Sequence, residues 1–540
     1  MSLKHPLFLL LVLCAFTLFM GNRYLPVDIM ESRNLATAQE MVEYGNYLTP
    51  TLNGAPRFEK PPLPTWGAAL VEHLAPHSIG AQRSLSGLMA TLWVIFSFLL
   101  VSELANRRQA LWTAAILATS YLAMFMARNA TWDIWCHSLL TGGLWLYARA
   151  TQRPGRQWPP FLLAGILFGL SFMSKGPIAL YALLLPFIPA YHWAFRPSMQ
   201  GKWPPFIGMA LAALAVSAWW YVYLLLFAQD EISHVMHKET TAWVSHSVRP
   251  WWYYWSFCKE TGIWCAMLLI SLVMPIMNKS IRQDRSQLMV TAWTLACVFL
   301  LSLFPEKMAR YLLPLMLPAA CCMGAYMYSL TKRRELPRAE RNTLRIHSAL
   351  LAAVCLALAV VLTFFNPLHL SFSPSLVIIT CSFVMAGMAF LYAATHRNST
   401  TLTPVAAILL MALVSTSFFP LLHQAQSSQQ RTSLRSLHDL PAAQGLPCYY
   451  MPDEELRPEV IYAVGHRILP LDTTARPPKS QTAAPRFLLI IAQWPNAALP
   501  LRGYSCTDLG IFDENWKSPG QSGYRESLVR HAVLVDGSSN

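Results

Sequence analysis

Residues 205–228 read PFIGMALAALAVSAWWYVYLLLFA, a run of 24 residues without one charged side chain. A helix of that length rises about 36 Å, enough to cross a hydrocarbon layer of ~30 Å. Runs of this kind recur at 6–21, 84–104, 109–127, 134–151, 160–174, 176–194, 257–277, 287–304, 311–331, 347–365, 375–395 and 402–420, which with the first makes thirteen. The pair 160–174 and 176–194 is split only around Lys175-Gly176-Pro177. Of 540 residues, 54% are hydrophobic and 13% charged, against roughly 25% charged in an average soluble domain. One aqueous globule cannot bury so much apolar surface. The expected fold is an α-helical polytopic membrane protein of about 13 transmembrane helices with a small C-terminal α/β domain. The first run reads as a retained anchor rather than a signal peptide, because GNRYLP follows it instead of a small-residue cleavage site.

The net charge of +14 would suggest a nucleic-acid partner in a soluble protein. Here it has a plainer cause. Eighteen Lys and Arg fall in one alternating set of short loops, Arg107, Arg108, Arg153 and Arg333 among them, and seven in the other. Basic residues stay on the cytoplasmic side, so the N-terminus is expected inside, with loop 22–83 and everything after residue 420 outside. No aromatic-basic motif of a nucleic-acid binder occurs, and nucleic acid is excluded as a partner.

Within that outer loop, residues 27–66 read VDIMESRNLATAQEMVEYGNYLTPTLNGAPRFEKPPLPTW. This is too long and polar for a mere connector. Glu31 to Tyr44 has helical spacing, with Leu35, Ala38, Met41 and Val42 on one side, and is expected to lie on the membrane surface. Asn53-Gly54 marks a tight turn, and prolines 56, 61, 62 and 64 defer a second surface helix to about 65–75. The domain division expected is 1–420 and 421–540. In the latter, PCYYM at 447–451 and FLLIIAQW at 487–494 read as strands and 474–485 as a loop. Cys448 and Cys506 are the two cysteines placed outside, where a disulfide can form, and they are expected to pair.

Four groups of ionisable residues gather at the outer ends of the spans: Asp28, Glu31 and Arg33; Glu59 and Lys60; Arg128 and Asp133; and Glu306, Lys307 and Arg310 with Tyr311. A charge beside hydrocarbon is costly and marks a candidate site, although any one of these can instead be a snorkelling side chain or a structural ion pair. Cations at Lys60, Lys175, Lys307 and Arg310 suit a phosphate, and carboxylates at Asp28, Glu31, Glu59 and Asp133 suit a base or a metal. No Walker A, H-E-x-x-H or G-x-S-x-G sequence is present. Energy for a reaction must then come with an activated substrate. A transporter or lipid flippase is the rival class, but it would place its ionisable residues mid-span near broken helices.

ESRNLATAQEM at 31–41, NYLTPTLNG at 46–54, FEKPPLPTW at 58–66, RNATWDIW at 128–135, KGP at 175–177, HKETTAWVSHSVRPWWYY at 237–254 and EKMARYLLP at 306–314 resemble, in order, motifs of the aminoarabinose lipid A transferases. These are GT-C glycosyltransferases related to the protein mannosyltransferases. The resemblance covers residues 1 to about 420. It implies an integral-membrane enzyme of the bacterial inner membrane that moves a sugar from a polyprenyl-phosphate donor to a lipid A or other lipid or glycan acceptor on the periplasmic side. It also implies that Lys60 and Tyr311, with Arg310, hold the donor phosphate, that Glu59 and Asp133 are ligands of a divalent metal, and that His237 matches a family histidine. Asp28, Glu31 and Arg33 are the catalytic candidates. The family commonly has Asp directly before the Glu matched by Glu31; here Met30 stands there, so either Asp28 or Glu31 acts.

Overall fold

In hydrocarbon only a helix or a closed barrel satisfies every backbone polar group of a span, and the apolar runs do form helices. The computed structural model describes residues 4–245, 247–278, 284–333, 335–365, 370–396, 401–427, 432–471, 486–495 and 504–537. Its helices are α1 Lys4–Cys14, α2 Ile29–Tyr44, α3 Leu63–Leu74, α4 Ile79–Leu104, α5 Arg107–Ala118, α6 Tyr121–Met126, α7 Asp133–Gln152, α8 Trp158–Lys175, α9 Leu185–Phe195, α10 Trp203–Phe227, α11 Gln229–Ser245, α12 Cys265–Met277, α13 Arg285–Leu303, α14 Met316–Lys332, α15 Arg338–Val360, α16 Pro374–Thr395, α17 Leu402–Ser427 and α18 Pro458–Val464. Each of the thirteen expected runs falls on helical structure, that at 109–127 being broken between α5 and α6. Among the described residues, eight helices are long and apolar enough to cross a membrane.

The chain forms two compact units. The first comprises Met1–Leu25, Glu59–Pro64 and Gly80–Ala425, and the second Pro26–Phe58, Thr65–Ile79 and Gln426–Asn540. The long outer loop is thus shared between them rather than belonging whole to the helical part.

In the first unit, α8 packs closely on α7 and α10. Gly165 and Gly169, one turn apart on α8, allow the approach to α10: a Cβ at Gly165 would strike the Met209 carbonyl, and one at Gly169 would stand 2.6 Å from Val216 Cβ. Small residues four apart are the usual device for close helix contact in membranes. Arg128, a functional candidate by sequence, has a structural role. Fully buried, it donates through Nη1 to the carbonyls of Thr17 and Met124 (both 2.7 Å) and through Nε and Nη2 to that of Met20 (3.0 and 2.8 Å). It therefore caps the C-terminal end of the first helix, where unmet carbonyls favour a cation.

The second unit carries a five-stranded sheet in the order β4-β3-β5-β7-β6: β3 Cys448–Tyr450, β4 Ile468–Pro470, β5 Arg486–Ile491, β6 Ser505–Asp513 and β7 Val529–Asp536. β3 runs parallel to β4 and β5; β7 is antiparallel to β5 and β6. The two strands expected from sequence are β3 and β5, while the expected loop at 474–485 lies outside the described residues. Cys448 and Cys506 do not pair, contrary to expectation, and both are free thiols. They sit on β3 and β6, with β5 and β7 between, so three strand spacings separate them by about 14 Å, twice the ~7 Å reach of a disulfide. The unit does not depend on such a staple, because it draws extra core from the outer loop, whose α2 packs against α18.

That loop folds largely as its turn residues dictate. Asp28 caps α2, Gly45 closes it at φ +72°, and the hairpin β1 Thr51–Leu52 to β2 Ala55–Pro56 turns on Asn53 and Gly54 at φ +53° and +78°, as the favoured two-residue hairpin requires. α2 is not a helix with one buried side: Glu31, Ser32 and every residue from Asn34 to Met41 are buried. Hydrogen bonding makes that burial tolerable. Glu40, 2% exposed, accepts from Thr51 Oγ1 at 2.6 Å, Arg467 Nε at 2.9 Å, Gly54 N–H at 3.2 Å and the Asn53 N–H.

Candidate functional site

α7 and α8 form an antiparallel hairpin, so the first residue of α7, Asp133, meets the last residue of α8, Lys175. A carboxylate suits a helix N-terminus and an ammonium a C-terminus. The two form a buried, hydrogen-bonded ion pair, with side chains 4% and 11% exposed. Lys175 Nζ also lies 4.9 Å from the ring centroid of Tyr311, whose hydroxyl donates to Glu306 Oε1 at 3.1 Å. The Arg310 guanidinium is 5.5 Å from the same ring. Carboxylate, ammonium, aromatic and carboxylate thus stand in a row, with a second cation beside them.

A short backbone splint holds the strip that bears Glu306, Arg310 and Tyr311. Val248 bridges Glu306, Arg249 N–H donates to the Pro305 carbonyl and Lys307 N–H to that of Ser247 (both 3.2 Å). Lys307, 3% exposed, donates to the carbonyls of Arg249 (3.3 Å) and Phe304. Its charge at the outer end of a span makes Lys307 a candidate phosphate ligand; the structure shows it tying these two segments together.

The expected residues divide between the units. Glu59 and Lys60, both half-buried, and His237, exposed on α11, belong to the first with Asp133, Arg310 and Tyr311. Asp28, Glu31 and Arg33 belong to the second. Asp28 Oδ1 accepts from the N–H groups of Met30 (2.8 Å) and Glu31 (2.9 Å), so one carboxylate oxygen serves as a helix cap. Glu31 is fully buried. His246 lies outside the described residues.

The donor set does not fit a divalent metal. Asp133 faces an ammonium, and among the described residues no group of three or more His, Cys, Asp and Glu is placed to hold an ion. His137, one turn along α7 from Asp133, went unnoticed in the sequence; it is 1% exposed and its Nδ1 has no partner. The i, i+4 spacing from Asp133 was the signal available.

In the second unit a cavity of about 610 Å³ is lined by Glu43, Tyr44, His438, Cys448, His466 and Arg467, among others. Burial lowers the pKa of His438 and His466 and pushes the Cys448 thiol up to about 12. These groups are therefore mostly uncharged near neutrality. His466 Nε2 lies 3.2 Å from Cys448 Sγ.

The family profile for dolichyl-phosphate-mannose-protein mannosyltransferase matches residues 59–221. The undecaprenyl phosphate-alpha-4-amino-4-deoxy-L-arabinose arabinosyl transferase 2 of Pseudomonas fluorescens is 25% identical over 349 residues, 59% of this chain and 58% of that protein. The corresponding transferase of Pseudomonas aeruginosa is 26% identical over 378 residues, 64% of each. The chain thus spans less than two thirds of the length of these relatives. The crystal structure of ArnT from Cupriavidus metallidurans bound to undecaprenyl phosphate superposes with a TM-score of 0.67 at 14% identity, covering 99% of this chain and 98% of that one; its apo state gives 0.66. The chain resembles the aminoarabinose transferases in sequence and has the fold of ArnT, a multi-pass helical membrane protein with a small C-terminal sheet.

Proposed function

We infer that the protein is a glycosyltransferase which moves a sugar from a polyprenyl-phosphate donor to lipid A or another cell-envelope acceptor at the outer side of the bacterial inner membrane. The observation that carries this reading is the row Asp133–Lys175–Tyr311–Glu306 with Arg310 beside it: cations and a hydroxyl at helix ends, on a fold shared with a protein solved with undecaprenyl phosphate. In the reaction an acceptor oxygen attacks the anomeric carbon, the bond from that carbon to the phosphate oxygen breaks, and polyprenyl phosphate leaves. Cations in a partly desolvated site stabilise the charge that builds on the leaving phosphate. Lys60, Arg310 and Tyr311 have that task. The acceptor-side role falls to Asp28 or Glu31, with Arg33 as their cationic companion. A transporter finds less support, since Asp133 and Lys175 pair at helix ends rather than mid-span.

A hydrogen bond to a charged group contributes about 1.5–3 kcal/mol, so Lys60→Ala or Tyr311→Phe is expected to lower donor use roughly ten-fold or more. Lys332→Ala, at the far end of the helical stretch that begins near Tyr311, should leave transfer unchanged. Mass spectrometry of lipid A and surface glycans made by each variant reads the outcome. Full transfer by a well-accumulated Lys60→Ala, Tyr311→Phe double variant would move the reading to the transporter.

The orientation has its own check. Reporter fusions after residues 108, 156 and 341 should report cytoplasm, and fusions after 75, 245 and 430 the periplasm; two or more reversed sites would overturn it.

A further inference from the structure

The motif at 237–254 ends in WWYY, and its final tyrosine has no part in the chemistry above. Tyr254 is 1% exposed, and its hydroxyl meets one residue twice: it donates to the Met308 carbonyl at 3.1 Å and accepts from the Met308 N–H at 3.1 Å. That carbonyl also receives the N–H of Tyr311 at 3.0 Å. The sulfur of Met308 stands 3.4 Å from Arg310 Nη2. Met308 is therefore the point from which both Arg310 and Tyr311 are hung, and Tyr254 is the side chain that fixes it. A neighbouring strand would satisfy Met308 with two backbone groups; here a single phenol supplies both the donor and the acceptor.

We propose that Tyr254 is a positioning residue for the donor phosphate: by holding both backbone groups of Met308, it sets where the Arg310 guanidinium and the Tyr311 hydroxyl stand. This rests on the phosphate site inferred above. The backbone splint at 247–249 and 305–307 ends one residue before Met308, so without the phenol the strip would lose its anchor just where the phosphate ligands begin. Misplacement of a ligand by about 1 Å is enough to cost much of its effect.

The test is the affinity of the purified full chain, in lipid nanodiscs, for undecaprenyl phosphate and for undecaprenol, which has the same tail and no phosphate. Tyr254→Phe keeps the ring and removes both hydrogen bonds. Its affinity for undecaprenyl phosphate is expected to fall about ten-fold, with that for undecaprenol unchanged and with recovery on placing 4-aminophenylalanine at position 254. Tyr326→Phe, which loses a hydrogen bond to Glu340 far along the bundle, controls for general loosening and should leave both affinities alone. Should Tyr254→Phe not accumulate, O-methyltyrosine at the same position removes the donated proton and carries the same expectation. An unchanged affinity for undecaprenyl phosphate, or an equal loss for both lipids, overturns the proposal. If Tyr311→Phe also leaves phosphate affinity unchanged, the phosphate site itself fails; if Tyr311→Phe weakens binding and Tyr254→Phe does not, only the positioning role fails.

Discussion

Asp133→Ala is expected to reduce glycosyl transfer by two to three orders of magnitude and to destabilise the protein. Asp133 and Lys175 are both almost fully enclosed. Removing one partner strands the other charge in a poorly solvated place, at a cost of about 3–5 kcal/mol. Lys175→Ala should be destabilised alike, because the loss of stability comes from the widowed charge and not from the identity of the residue lost. The informative case is the double variant Asp133→Leu, Lys175→Met. Apolar replacement of a buried ion pair is often neutral or stabilising, so this protein should regain normal accumulation and thermal stability while remaining unable to transfer sugar. Lys175, besides pairing with Asp133, lies over the ring of Tyr311, and a methionine supplies no cation there. Transfer by the double variant at the unmodified rate would show the pair to be structural only.

The second large effect is expected in the other unit, at Glu40. Its carboxylate collects the hairpin turn through Thr51, Asn53 and Gly54, and also the Arg467 guanidinium. Glu40→Ala would leave two backbone N–H groups and a cation without their acceptor, a loss of about 3 kcal/mol or more. The hairpin is further joined to β4 by Asn53, whose side chain donates to the Ile468 carbonyl at 2.9 Å and accepts its N–H at 2.8 Å. Loosening should therefore spread from the hairpin into the sheet edge. Limited proteolysis should cut Glu40→Ala between residues 45 and 58 at protease levels that leave the unaltered protein whole. Glu40→Gln, which keeps an acceptor oxygen but not the charge, should fall between the two. Equal resistance of all three proteins would contradict this account.

The membrane part was legible because length and hydropathy alone decide it: a helix is the one open-chain answer to an apolar run of that size. The Asn53-Gly54 turn was legible too, since its positive φ values favour those residues. β4, β6 and β7 were not. β4 is three residues long and ends in Pro470, β6 carries Asp508 and a bulge at Gly510, and β7 opens on Val-Arg-His; none shows an uninterrupted period of two. The pattern of α2, with Leu35, Ala38, Met41 and Val42 on one side, points to a surface-lying helix, and nothing local reveals that Arg467, more than four hundred positions away, neutralises Glu40. The same limit governed the site. Asp133, Lys175 and Tyr311 were each picked out by charge or motif, but their meeting depends on an antiparallel helix pair and on a third segment far along the chain. The partnership of Asp133 with the Lys175 ammonium is a fact of tertiary structure only.

The second unit is assembled from pieces that leave the ribosome far apart in time. Its early portion ends at Ile79 and its late portion begins at Gln426, with residues 80–425 belonging to the other unit. At ~5–20 residues per second, α2 and the hairpin wait about 20–80 s for Arg467 and for the strand edge that receives Asn53. During that wait the carboxylate of Glu40 lacks its cation, and the burial of α2 is incomplete. Folding of the second unit is thus gated by completion of the chain's own synthesis: a nascent chain stalled within the helical bundle already holds Asp133 and Lys175 but has no finished second unit.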